Sequence, residues 1–277
     1  MMHEWPLIFF TTLIQISIGC FLLAFFYVIL TKDTSKIHFP IMASSLIAVA
    51  GLFSSIFHLG NPWHMFNTMN NVFNSWMSRE VLFVGSYTGL ITLNIVCFFF
   101  TNRYHKLLLS VTAVTGVCTV FVMSNIYINS LFVLWSGWVT YSSFWATTLV
   151  TGGLVACFVF NFALQKDTRN TVMIRIIRLF FIFSVLAVVL NICAYVFLQS
   201  NMAGNVSRGI TPRYVDRESV LILISLKFAL IVLGLIIMAF IKNKLNRRFA
   251  LPAVAMSSLI AVVAEVIGRY SFFMLGA

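Results

Sequence analysis

The chain has 277 residues, 61% of them hydrophobic and only 9% charged, with a mean hydropathy of +0.99. A soluble globular domain, in which about a quarter of the residues are charged, is excluded by that balance. The net charge of +11 would suit a nucleic-acid partner if the cations were clustered on one surface; their positions along the chain give it another meaning.

Eight apolar stretches follow one another, at 5–30, 40–59, 80–101, 107–128, 139–164, 176–199, 219–241 and 250–273. Each is long enough to cross a hydrocarbon core of about 30 Å as a helix. The connections are short, the longest being 60–78 and 200–218. The expectation is therefore an all-α integral membrane protein, a bundle of about eight transmembrane helices, with one transmembrane domain occupying 1–277. The opening Met1-Met2-His3-Glu4-Trp5-Pro6 lacks the basic region and small-residue cleavage site of a secretory signal, so the first helix is expected to be retained, with Trp5 as its interfacial anchor.

Lysine and arginine alternate from loop to loop. The first, third, fifth and seventh connections carry Lys32, Lys36, Arg103, Lys106, Lys166, Arg169, Arg175, Arg178, Lys242, Lys244, Arg247 and Arg248, whereas the others hold Arg79, Arg208, Arg213 and Arg217. By the positive-inside rule both termini are non-cytoplasmic. The charge is thus a topology signal, and membrane lipid rather than nucleic acid is the expected surrounding. Cys20, Cys97, Cys118, Cys157 and Cys193 fall one to a helix, with no spacing for zinc or an iron–sulfur cluster, so no metal site is expected. Of the five histidines, His3, His38, His64 and His105 read as loop or terminal residues and only His58 as helical. Two facing imidazoles at one depth are lacking, so no haem is expected.

Five ionisable residues stand at helix ends or within helices: His58, Glu80, Lys227, Glu265 and Arg269. Lys227 lies about 12 Å into its helix, and all five fall in the non-cytoplasmic half. His58 continues a small-residue stripe of Ser44, Ala48, Gly51 and Ser55. Glu265 and Arg269 continue one of Ala253, Ser257 and Ala261, four residues apart, and can pair one turn apart. Glu80, Tyr87 and Asn94 form a polar line on helix three, which Ser78 can cap, leaving Glu80 in the first turn, where the dipole favours its charge. Blander roles stand beside these. His58 and Glu80 suit headgroup contact, Glu265 and Arg269 a structural pair, Lys227 snorkelling to the interface, and Arg79 a solvated position. Residues 63–77 read as a short amphipathic helix, either plainly interfacial or a lid over His58 and Glu80. Residues 200–218, with Arg208, Arg213, Asp216, Arg217 and Glu218, read as a solvated loop or a docking surface.

The opening His3-Glu4-Trp5-Pro6-Leu7, the run His58-Leu59-Gly60-Asn61-Pro62 followed by Phe66-Asn67 and Asn70, Ser78-Arg79-Glu80, and Glu265-Val266-Ile267-Gly268-Arg269 together resemble the membrane anchor subunit family of dimethyl sulfoxide reductase, over nearly the whole sequence. The resemblance implies a haem-free, eight-helix anchor in the bacterial inner membrane. Such an anchor oxidises menaquinol and passes electrons to an iron–sulfur subunit that feeds a molybdopterin catalytic subunit. It implies quinol binding at His58 and Glu80, and places Lys227 where arginine is expected in the family. The expected chemistry is proton acceptance by His58, an imidazole that titrates near neutrality, and onward release through Glu80. Lys227 or Arg269 would steady negative charge on the quinone oxygens, Glu265 orienting Arg269. Phe57, Trp63, Phe66 and Tyr87 are candidates to line the ring pocket. Two rivals stay open: the quinol-oxidising anchor of a polysulfide or tetrathionate type of molybdopterin reductase, and a small-solute transporter. Against the transporter, no internal repeat is evident and the polar residues gather in one leaflet.

Overall fold

A computed structural model describes residues 5–57, 67, 70–130, 132, 135, 137–163, 171–206, 217–241 and 250–274. The secondary structure of these residues is helical, without strands: α1 Trp5–Thr31, α2 His38–Ile56, α3 Trp76–Thr101, α4 Lys106–Ile128, α5 Trp138–Ala146, a π-helical turn Thr147–Thr151, α6 Gly152–Ala163, α7 Thr171–Val206, α8 Arg217–Ile241 and α9 Ala250–Met274. With α5, the π turn and α6 read as one span, eight helices among the described residues are long and apolar enough to cross a membrane.

α1 is the post around which the others stand, packing on α2, α4, the π turn, α6, α7 and α9. It is buried from nearly all sides, Thr11, Thr12, Gln15 and Ser17 included. Its closest crossing is with the π turn and α6. A methyl on Gly19 would strike the Thr148 carbonyl, and one on Gly152 would stand 2.7 Å from Gly19 Cα. Glycine is needed at both because the two backbones touch. The beginning of α1, the end of α2 and the end of α9 share one end of the bundle: Ser54 Oγ donates to the Pro6 carbonyl at 2.9 Å, and the Trp5 ring stacks on Tyr270 with centroids 5.6 Å apart. Trp135 Nε1, just before α5, donates to the Phe272 carbonyl at 2.8 Å, adding the start of α5 to that end.

Several local expectations are corrected. α3 starts a turn earlier than its apolar run, because Ser75, not Ser78, is the N-cap and accepts from the Ser78 amide at 3.4 Å. Glu80 is therefore beyond the first turn. Arg79 is not left to solvent: its guanidinium donates to the Val72 carbonyl at 2.9 Å and the Phe73 carbonyl at 2.5 Å and lies over the Trp76 ring at 4.4 Å. Those bonds tie down the turn at 70–74, the described part of the expected amphipathic segment. Trp76 and Met77 already belong to α3. His38 opens α2 rather than lying in a loop, with Nδ1 2.8 Å from the Tyr104 hydroxyl. α7 runs on to Val206 and Arg217 opens α8, so both ends of the expected loop 200–218 are helical; Arg208, Arg213 and Asp216 lie outside the described residues.

Candidate functional site

Three of the residues singled out from the sequence meet in space. Lys227 of α8 and Glu265 and Arg269 of α9 are only 2%, 1% and 2% exposed. Lys227 Nζ lies 3.2 Å from Glu265 Oε2. The same oxygen accepts from Thr147 Oγ1 of the π turn at 2.8 Å. Arg269 does not take Glu265 as its hydrogen-bond partner. It turns to α1, where Nη2 donates to Gln15 Oε1 at 2.5 Å, and its guanidinium lies 3.7 Å from the centre of the Phe144 ring. Thr147 Oγ1 stands 3.5 Å from Arg269 Nη2 and so bridges the two halves of the centre.

The local sequence explains this arrangement. α8 and α9 pack closely as an antiparallel pair, with Ser257 Oγ donating to the Gly234 carbonyl at 2.7 Å. The four-residue stripe of Ser257, Ala261, Glu265 and Arg269 is buried along α9. Gly268 leaves the space through which the Lys227 stem passes, since a methyl there would overlap Lys227 Cδ. Glu265 thereby meets an ammonium from the neighbouring helix in place of the guanidinium one turn below it. A buried carboxylate is tolerable only with such a partner. Glu265 Oε1, Arg269 Nε and Nη1 and Gln15 Nε2 have no hydrogen-bond partner among the described residues.

Glu80 and Tyr87 are elsewhere. α3 packs on α2 and α4, and Tyr87 is fully buried there. Its hydroxyl lies 2.9 Å from Ser17 Oγ, which donates onward to the Ser44 carbonyl at 2.6 Å. Ser17 and Gln15 are two residues apart on α1, about 200° around the helix. Tyr87 and Arg269 therefore touch opposite faces of the same post, and Tyr87 is packed against Gly116 and Phe21. Glu80 stands two turns nearer the beginning of α3 on Tyr87's side. It is half-buried, and its Oε1, wholly shielded, has no partner among the described residues. Phe57 is 70% exposed and set edge-on to Phe53. His58, Trp63 and Phe66 lie outside the described residues.

Sequence reasoning missed Gln15 and Thr147. Gln15 could have been found as the one amide in the apolar run of α1. Nothing in the string Thr147-Thr148-Leu149-Val150-Thr151 announces a π turn, although such turns recur at functional positions.

Similarity to known proteins covers the same ground. The family model described as DMSO reductase anchor subunit (DmsC) matches residues 1–275. The C subunit of the anaerobic dimethyl sulfoxide reductase of Haemophilus influenzae is 32% identical over 171 residues, 57% of this protein and 58% of that one. The YnfH subunit of an anaerobic dimethyl sulfoxide reductase of Escherichia coli is 29% identical over 182 residues, 63% of each protein. The alignments thus span 58% and 63% of those relatives' length.

Proposed function

The chain belongs to the DMSO reductase anchor subunit family, and from that premise we propose that it oxidises menaquinol in the bacterial inner membrane. Its electrons would pass to an iron–sulfur subunit and on to a molybdopterin catalytic subunit. Both termini, and with them Glu80, face away from the cytoplasm, as the distribution of lysine and arginine predicts.

The observation that carries the reading is Glu80. A carboxylate on a membrane-spanning helix, half-buried and with a shielded oxygen that no described group satisfies, is expensive as architecture and useful as an acceptor. Oxidation of a quinol to the quinone releases two electrons and two protons. His58 takes the first proton from a ring hydroxyl. Glu80 accepts from the same site and returns its proton to the aqueous phase at the near end of α3. The two electrons leave through the partner subunit, so the anchor itself needs no metal or haem.

Lys227, Glu265 and Arg269 enter this proposal in a different role from contact with the quinone. They stand across α1 from Glu80 and are enclosed by α1, α5, α8 and α9. Their work is to lock α8 and α9 onto the post that also carries α3's side of the bundle.

The test is Glu80→Gln in the assembled complex, assayed in membranes with a reduced naphthoquinol. Quinol-dependent turnover should fall by about 10²–10⁴-fold, the usual worth of a positioned acid–base group. Electron delivery from an artificial donor straight to the catalytic subunit should be unchanged. Normal quinol turnover by the variant would remove Glu80 from the mechanism.

A further inference from the structure

At the end of the bundle where α1 and α3 finish and α2 and α4 begin, two short connections are held side by side. His38 Nδ1, in the first residue of α2, lies 2.8 Å from the hydroxyl of Tyr104, which sits between α3 and α4. The Tyr104 ring stacks on Phe98 with centroids 4.7 Å apart, and both the ring and its bond to His38 belong to the packed interior. This link gathers two pairs of cations at one surface: Lys32 and Lys36 between α1 and α2, and Arg103 and Lys106 where α4 opens. Lys32, Arg103 and Lys106 are exposed and Lys36 is half-buried.

Little in the chain here answers that charge. Asp33 is the one carboxylate in 32–37 and 102–106, and it is already engaged by the Ser35 amide and hydroxyl, each at 2.8 Å. Neither α2 nor α4 has an acidic residue in its first turn, and α1 and α3 end without one. Large apolar side chains stand immediately beside the cations. Phe100, in the last turn of α3, is 84% exposed, Leu107, next to Lys106, is 79% exposed, and Phe99 is exposed as well. Positive charge and bare apolar surface therefore meet within one turn of helix.

A ligand that suits both is an amphiphile with an anionic head. An acidic protein surface would match the cations but set polar groups against Phe99, Phe100 and Leu107, and a free phosphate would leave those three bare. We propose that the two connections form the headgroup site of an anionic phospholipid. Its phosphate lies between Lys32 and Lys36 on one side and Arg103 and Lys106 on the other, and its acyl tails cover Phe99, Phe100 and Leu107. The excess of cations that orients a chain in the membrane is here concentrated into one recognition surface. The proposal stands apart from the quinol reading and does not depend on it.

The assembled complex, stripped of lipid in detergent, is titrated with phosphatidylglycerol and separately with phosphatidylcholine, and the tightest-bound lipid is followed by mass spectrometry of the intact complex. Phosphatidylglycerol should bind the wild type about 10-fold or more tightly than phosphatidylcholine, and more weakly as salt is raised. Arg103→Gln with Lys106→Gln should remove that preference, again a loss of about 10-fold. Arg175→Gln with Arg178→Gln takes as many exposed cations from α7 and leaves both connections intact; it should stay within about twofold of wild type. Glycerol phosphate, a phosphate head without tails, should not compete. A wild type that shows no preference overturns the proposal, whether or not the variants fold. Equal losses in the two variant pairs overturn it as well, since the charge would then act without a site. Competition by glycerol phosphate would make this a free-phosphate site in place of a lipid one. A folded Arg103→Gln, Lys106→Gln chain that no longer assembles with its partner subunits would make it a protein interface, and the lipid reading would fall.

Discussion

Two polar regions on opposite faces of α1 differ in whether their carboxyl group has a counter-charge. In the centre formed by Lys227, Glu265 and Arg269 each side chain is almost wholly enclosed and Lys227 and Glu265 form an ion pair, while Glu265 Oε1 and Arg269 Nε and Nη1 have no partner among the described residues. Along α3, Glu80 presents a shielded oxygen with no described partner and makes no ion pair among the described residues. Charges that a protein neutralises for itself hold helices together. A carboxyl left without a counter-charge can exchange a proton with something that arrives from outside.

That comparison breaks most visibly at Glu265. Glu265→Ala leaves Lys227 buried beside Arg269 without its anion and should cost about 3–5 kcal/mol, read as loss of folded protein in a thermal melt of the purified anchor. The paired replacement Lys227→Met with Glu265→Leu should restore the fold, since a well-packed apolar pair commonly matches or exceeds a buried ion pair. Quinol turnover should survive it. A double variant that folds but no longer oxidises quinol would give the ion centre a chemical role and erase the distinction drawn here.

The glycines sharpen it next. Gly19→Ala forces a methyl into the Thr148 carbonyl and should destabilise by about 1–3 kcal/mol, as overpacking does. Gly85→Ala meets no described atom within 4 Å and should instead stabilise by about 0.5–1 kcal/mol through helix propensity. A melt of the two variants side by side tests both signs, and a destabilised Gly85→Ala would mean that this face of α3 is packed by the protein itself.

The smallest effect is expected far from both regions, at Asp33 in the turn after α1. The Ser35 amide, 2.8 Å from Oδ1, holds this carboxyl below its ordinary range against the opposing effect of burial, helped by the Ser35 hydroxyl and Lys36. A depressed carboxylate contributes stability above its unfolded value, and that contribution is lost as pH falls through the folded one. Asp33→Ala should therefore melt slightly earlier than wild type at neutral pH and identically once the pH is well below both the folded and the unfolded titration of this carboxyl. A gap that widened in acid would reverse the sign.

The helices were legible in the string because length and apolarity suffice to define a span: α1, α4, α8 and α9 end within a residue or two of the expected limits. The inward stripe of α9 was legible too, since four-residue spacing on a helix is a statement about one face. The partner of Glu265 was not. Arg269 is its neighbour in sequence, but Lys227, on another helix, reaches it through the gap left by Gly268. The cap of α3 was misplaced for a similar reason: the turn held by Arg79 let the helix begin at Trp76 before the apolar run sets in.

By itself, then, the amino-acid sequence determined that this protein crosses a membrane in eight helices, which of its residues are costly there, and the family it belongs to. Each of these depends on local composition, spacing or a linear pattern. Only the tertiary structure decided that α1 stands between Arg269 and Tyr87, that Gln15 and Thr147 join the ion centre, and that Gly85 and Gly89 meet no described atom while Gly19 is pressed against the π turn. Those facts depend on how helices rotate and cross, which is set by the packing of all of them at once and is written in no single segment.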